Sequence, residues 1–105
     1  MKIQVNTDSN IHGREGLIAE AEATVENSLK HFQSQITRVE VHLSDENSRQ
    51  KGGGNDKRCL LEARIEGRQP VAVTHISDSL SQAMAGAAQK MKASLSSTLG
   101  KQNSH

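Results

Sequence analysis

The chain has 105 residues and a formal net charge of +1, with 33% hydrophobic residues, one Phe and no Trp or Tyr. This length fits one compact domain, which we expect to span residues 1–105. The lack of Trp and Tyr argues against a protein that stacks single-stranded bases on aromatic side chains. The single cysteine, Cys59, cannot form an intrachain disulfide, and neither a signal peptide nor a membrane-spanning apolar stretch is recognisable. We therefore expect a cytoplasmic protein.

Charge is distributed unevenly along the chain. Residues 1–50 contain five Lys/Arg and eight Asp/Glu, whereas residues 51–105 contain eight Lys/Arg and four Asp/Glu. The last acidic residue is Asp78, so Lys90, Lys92 and Lys101 follow without an acidic neighbour in sequence. An anionic partner would experience a one-sided basic surface of this kind despite the small net charge.

Hydrophobic periodicity predicts the elements of the first half. Alternation over residues 2–6 predicts a short strand, and apolar residues spaced three and four apart over 16–32 predict an amphipathic helix. Strict alternation over residues 37–44 predicts a second strand. Residues 45–57 contain no apolar residue and include three successive glycines, so we expect a flexible hairpin loop there.

Alternation resumes in the second half and predicts two more strands. Over residues 58–66 it places Cys59 on the core-facing side, where a buried small side chain is expected rather than a reactive thiol. Residues 71–76 form the fourth predicted strand, and Pro70 at its start indicates an edge strand, because proline cannot donate a hydrogen bond to a neighbour.

A second helix follows, for which Ser77 or Asp78 is the predicted N-cap. Helical spacing continues to about Leu99, and Gly100 is the predicted C-cap, before a short tail at 100–105. The predicted order is therefore β-α-β-β-β-α. The fold class is α+β, a four-stranded sheet with both helices on one face.

No motif of an enzyme is recognisable. The glycines at 52–54 lack the Gly-Lys-Ser/Thr of a phosphate loop, and no two histidines have the i, i+4 spacing of zinc ligands. His42 and His75 could meet across the sheet, although solvated strand positions are the simpler interpretation. We expect no catalytic residue, no metal and no cofactor.

Basic side chains remain as candidates for a binding site. Lys90 and Lys101 are separated by about three helical turns and share one helix face, with Lys92 to the side. Serine and threonine hydroxyls at 94–98 could donate hydrogen bonds to phosphates. A solvated helix face without a partner explains the same lysines equally well on these grounds.

Local features along nearly the whole chain carry a family resemblance. They are Leu29-Lys30-His31-Phe32, Ile36, Arg38-Val39-Glu40-Val41-His42-Leu43-Ser44-Asp45-Glu46-Asn47, Asp56-Lys57-Arg58-Cys59, Glu62-Ala63-Arg64, Gly67, Pro70-Val71-Ala72-Val73, Ala83, Met84, Lys90 and Leu99-Gly100. Together with the element order, they resemble the bacterial ribosome hibernation-promoting factor and ribosome-associated inhibitor family, also called sigma-54 modulation proteins.

The resemblance implies a fold similar to a double-stranded-RNA-binding domain and a non-enzymatic stress-response protein. Such a protein binds the small ribosomal subunit in the channel used by mRNA and tRNA and silences idle ribosomes under starvation or in stationary phase. The implied partner is 16S rRNA, with ribosomal proteins left open; neither DNA nor a membrane is expected, and a monomer is the simplest state. The implied rRNA-binding residues are Lys30, Lys57, Arg58, Arg64, Lys90, Lys92 and Lys101.

The sequence departs from the family pattern in both helices. Residues 24–28 read Thr-Val-Glu-Asn-Ser where better-known members carry several lysines, and Ala93 and Ser97 occupy positions that are often basic. Because each missing phosphate contact lowers affinity, ribosome binding would be weaker or would depend on other cations. These are Lys57, Arg58, Arg64 and the loop residues Arg49 and Lys51. The alternative function is a protein-interaction module that regulates a cytosolic partner, with weakened or lost ribosome binding.

Overall fold

The computed structural model describes residues 1–8, 11, 14–45 and 57–103. The predicted fold class is confirmed, because the elements follow each other in the order β-α-β-β-β-α. The predicted flexible loop at 45–57 lies outside the described residues except for its two ends. The elements are β1 (Lys2–Thr7), α1 (Arg14–Leu29), a 3-10 turn (Lys30–Phe32), β2 (Ile36–Asp45), β3 (Lys57–Ile65), β4 (Val71–Ser77) and α2 (Leu80–Asn103).

The strands form one mixed sheet in the order β1-β2-β3-β4. Strands β1 and β2 are parallel, as expected for two strands joined by the crossover helix α1. The pairs β2–β3 and β3–β4 are antiparallel, as expected for successive hairpins. Strand β4 is therefore an edge strand, which confirms the interpretation of Pro70.

The core lies between one face of the sheet and the two helices, and it is built from aliphatic side chains. Alternate residues of each strand point to this face, and they pack with one side of each helix. Burial of a Leu or Val side chain stabilises the fold by roughly 1.5–3 kcal/mol. The most deeply buried large side chains are Leu29, Val39, Val41, Leu43, Cys59, Leu61, Met91, Leu95 and Leu99.

The other face of the sheet is not covered by either helix, and we call it the open face. It presents the alternate strand residues, most of which are polar or charged. The open face consists of Lys2, Gln4, Asn6, Arg38, Glu40, His42, Ser44, Arg58, Leu60, Glu62, Arg64, Ala72, Thr74 and Ile76.

The N-terminus of α2 is capped by a residue other than the two predicted. The hydroxyl of Ser79 accepts a hydrogen bond from the backbone N–H of Gln82 at 3.1 Å, as an N-cap does. Ser77 ends strand β4, and its hydroxyl donates to the Gln82 side-chain oxygen at 2.8 Å. The prediction of Ser77 or Asp78 as the N-cap is wrong, because the helix starts only at Leu80.

The C-terminus of α2 also differs from the prediction. The helix continues through Gly100 to Asn103, so the prediction of Gly100 as a C-cap is wrong. A glycine within a helix costs about 1 kcal/mol relative to alanine, but it does not forbid helical dihedrals. Lysine and glutamine follow at 101 and 102, and both are good helix formers.

Candidate nucleic-acid interface

Helix α2 presents Lys90 and Lys92 to solvent. No Asp or Glu occurs anywhere in α2, so the helix itself supplies no charge that neutralises them. Lys92 makes no hydrogen bond or ion pair with any described residue. Lys101 belongs to the last turn of the same helix, and its side chain lies outside the described residues. The structure therefore brings Lys90 and Lys92 together on one element.

The ammonium group of Lys90 reaches the edge of the sheet. Its Nζ donates a hydrogen bond to the backbone carbonyl oxygen of Thr74 in β4 at 2.8 Å. An ammonium group has three donors, so this contact leaves donors for a phosphate oxygen. Lys90 is thus fixed in position by β4 while it remains exposed.

A glycine allows α2 to approach β4 closely enough for this contact. A Cβ atom at Gly86 would overlap the imidazole ring of His75, which lies on the helix-covered side of β4. Gly86 precedes Lys90 by one helical turn, so both residues face β4. Sequence reasoning missed this contact, although a glycine inside a helical pattern is a signal of close packing.

Helix α1 carries the opposite charge. Its described side chains, from Glu15 to Leu29, include four Glu and no Lys or Arg. Lys30 follows in the 3-10 turn and is exposed. Because α1 packs beside α2, an acidic helix and a basic helix lie next to each other in the same layer.

Arg64 lies on the open face, on the opposite side of the sheet from the helices. Its Nε is 3.8 Å from a carboxylate oxygen of Glu40, and its Nη2 is 3.8 Å from one of Glu62. Arg38 Nε is 3.4 Å from the same Glu40 oxygen, and His42 Nε2 is 3.5 Å from the other one. The charge of Arg64 is therefore shared with carboxylates of the sheet.

Glu40 reduces the repulsion between two arginines of neighbouring strands. Arg38 and Arg64 are directly opposite each other in the β2–β3 register, where like charges are destabilising. The carboxylate of Glu40 is within ion-pair distance of both guanidinium groups and offsets their repulsion. Exposed pairs of this kind contribute up to about 1 kcal/mol each.

The remaining predicted cations lie near the start of β3. Lys57 Nζ is 3.3 Å from a carboxylate oxygen of Asp45, the residue opposite it in the register. Arg58 is half-buried on the open face, opposite Ser44. The seven predicted rRNA-binding residues are thus divided between α2, the end of α1, the start of β3 and the open face.

The remaining polar candidates of the sequence do not form a reactive site. Cys59 is 0% exposed, and desolvation raises the pKa of its thiol to about 12, so the predicted buried role is confirmed. His42 lies on the open face and His75 on the covered face, so the structure excludes the contact between them. No three His, Cys, Asp or Glu side chains gather as metal ligands within the described ranges. Across these ranges, no helix has the length and apolar character of a membrane span.

Known structures share this architecture over almost its full length. The fold is similar to that of a ribosomal subunit interface protein from Coxiella burnetii, with a TM-score of 0.76, 14% identity and coverage of 95% of this chain and 99% of that one. It is also similar to the N-terminal domain of Protein Y from Thermus thermophilus, with a TM-score of 0.73, 16% identity and coverage of 93% and 99%. The sequence matches no protein-family model and no curated protein. At such low identity the likeness is one of fold, and this is the fold that the family resemblance implied.

Proposed function

We propose that the protein is a ribosome-associated translation inhibitor of the hibernation type, which acts in the cytoplasm under stress or in stationary phase. It binds the small ribosomal subunit in the mRNA and tRNA channel and blocks decoding by occupancy, as a monomer without catalysis. The observation that carries this proposal is the fold likeness, over 95% of the chain, to a protein named for the ribosomal subunit interface.

The exposed lysines of α2 are the proposed centre of the contact with 16S rRNA. Phosphate oxygens require positioned cations and hydroxyl or amide donors, and α2 supplies Lys90 and Lys92 followed by the exposed hydroxyls of Ser96 and Ser97. Lys30, exposed in the 3-10 turn after α1, is a further proposed contact. The other proposed contacts are Lys57, Arg58, Arg64 and Lys101. Of these, Arg64 would have to share its charge between phosphate and Glu40.

Sedimentation at two salt concentrations tests the proposal. Stationary-phase lysate is fractionated on sucrose gradients at low and high salt, and each fraction is probed for the protein. We expect it to co-migrate with small subunits or ribosomes at low salt and to dissociate at high salt, because phosphate contacts release counterions. If the protein stays in the ribosome-free fractions at both salt concentrations, ribosome association is refuted.

Charge reversal on α2 tests the proposed contact surface. The double variant Lys90→Glu/Lys92→Glu should lose co-sedimentation at low salt, and Lys92→Glu alone should lower the salt slope by about one unit. Lys92→Glu is the cleaner variant, because Lys92 makes no hydrogen bond or ion pair with another described residue. Glu20→Gln on α1 is the comparison variant, which removes a negative charge and should not weaken binding. Unchanged sedimentation of the double variant would contradict the assignment to α2.

The acidic surface of α1 favours a second candidate function, a module that regulates a cytosolic protein partner. Glu15, Glu22 and Glu26 are exposed on this helix, where an rRNA phosphate would be repelled. This function predicts that a protein partner is retained in pull-downs after nuclease treatment and at moderate salt. Loss of all captured protein under those conditions favours the ribosomal function.

A further inference from the structure

The outer edge of β4 offers backbone groups to another strand. The Thr74 carbonyl points away from β3, because it accepts the hydrogen bond from Lys90 in the helix α2. In an antiparallel ladder the N–H and C=O of one residue point to the same side, and alternate residues repeat that direction. The backbone groups of Ala72, Thr74 and Ile76 therefore all face the open edge.

The side chains of β4 do not protect this edge. No Asp, Glu, Lys or Arg occurs between Val71 and Ser77. Ala72 is exposed on the open face. Ile76, on the same face beyond Thr74, is 47% exposed and is the exposed large hydrophobic residue of the described chain. An uncharged edge strand with exposed apolar residues is a template for pairing with another chain.

A second copy of this chain fits the edge in register. Antiparallel pairing about a two-fold axis at Thr74 would place Ala72 opposite Ile76 of the second copy. It would also place Ile76 opposite Ala72 of the second copy. All the outward backbone groups of these residues would then form hydrogen bonds, and each Ala–Ile pair would be an apolar cross-strand contact.

We propose that Lys90 blocks strand pairing at the outer edge of β4 and thereby prevents this self-association. Its ammonium group donates a hydrogen bond to the Thr74 carbonyl oxygen, and Thr74 is the residue at the centre of the symmetric pairing. Pairing would break that hydrogen bond and bring the Lys90 ammonium groups of the two copies together at the axis, where they repel each other. Lysine at an edge strand is a device that proteins use against edge-to-edge pairing.

The variant Lys90→Met tests the proposal on purified protein without ribosomes, so the result does not depend on the proposed function. Methionine keeps an unbranched side chain and a high helix propensity but removes the charge and the donor. We expect the variant to form a dimer whose fraction rises with protein concentration in analytical ultracentrifugation, whereas the parent chain remains monomeric. In the dimer, the Ala72, Thr74 and Ile76 amides should gain protection from hydrogen exchange.

Two further variants separate edge pairing from a general loss of charge. Lys92→Met makes the same change on the same helix without touching β4, and it should stay monomeric. Lys90→Met/Ile76→Lys returns a charge to the edge and should also stay monomeric. The proposal is overturned if Lys90→Met remains a monomer, if Lys92→Met dimerises equally, or if the dimer forms without protection of the β4 amides.

Discussion

Gly86 and His75 determine how closely α2 approaches the sheet. The ring of His75 occupies the space that a side chain at Gly86 would need. A glycine in the middle of a helix lowers the stability of the helix by about 1 kcal/mol relative to alanine. At position 86 the absence of a side chain allows the helix to contact the His75 ring. The contact in turn places Lys90, one turn later, beside the β4 backbone.

The substitution Gly86→Ala should therefore have opposite effects in two backgrounds. In the parent chain the new methyl group must displace the His75 ring, so we expect no gain or a loss in the free energy of unfolding. With His75→Ala the ring is absent, and Gly86→Ala should stabilise the protein by about 1 kcal/mol through helix propensity. Urea unfolding followed by circular dichroism measures all members of this double-mutant cycle. Additive effects would show that the ring does not restrict position 86.

Hydrophobic periodicity predicts strand β2 but does not predict where α2 begins. Alternation at Val39, Val41 and Leu43 predicted β2 because each of these residues is buried between the sheet and the helices. The N-terminus of α2 was predicted too early because Ser77, Asp78 and Ser79 are all acceptable caps. The choice depends on where β4 ends, which is fixed by its pairing with β3.

A prediction for the N-terminus of α2 follows from its observed cap. Ser79→Ala removes the acceptor of the Gln82 N–H and should lower the free energy of unfolding by about 1 kcal/mol. Ser81→Ala is the matched control, because Ser81 is exposed within the first turn and alanine is the better helix former. Chemical denaturation should show a loss for Ser79→Ala and no loss for Ser81→Ala. An equal response of both variants would contradict the assignment of the cap.

The described lysines of α2 and the arginines of the open face lie on opposite sides of the sheet. The sequence could identify the cations, but it could not show all of their partners, because some of these are distant in the chain. Arg64 is paired with Glu40 from the neighbouring strand, and Lys90 is held by Thr74, sixteen residues away. The proposed centre of the rRNA contact is the helix layer, whereas Arg58 and Arg64, which are further proposed contacts, belong to the open face.

Two isosteric substitutions distinguish these surfaces. Glu40→Gln removes the carboxylate that Arg38 and Arg64 share on the open face, and Glu20→Gln removes the same charge from α1 in the helix layer. If the helix layer makes the main contact with rRNA, Glu20→Gln should strengthen binding to small subunits, and Glu40→Gln should have a smaller effect. Binding isotherms at low salt measure both, with circular dichroism as a check on folding. Stronger binding of Glu40→Gln alone would transfer the proposed contact to the open face.

The strand order also has a consequence for the way in which the chain assembles. Strands β2, β3 and β4 are consecutive and pair with their sequence neighbours, whereas the β1–β2 pair is separated by a whole helix. Synthesis proceeds from the N-terminus, so the three-strand meander can assemble before α2 is complete. Lys90, which is hydrogen-bonded to the β4 edge, belongs to α2 and is therefore synthesised after the three strands. The β4 edge is therefore protected in the folded protein but open during synthesis, when aggregation competes with folding.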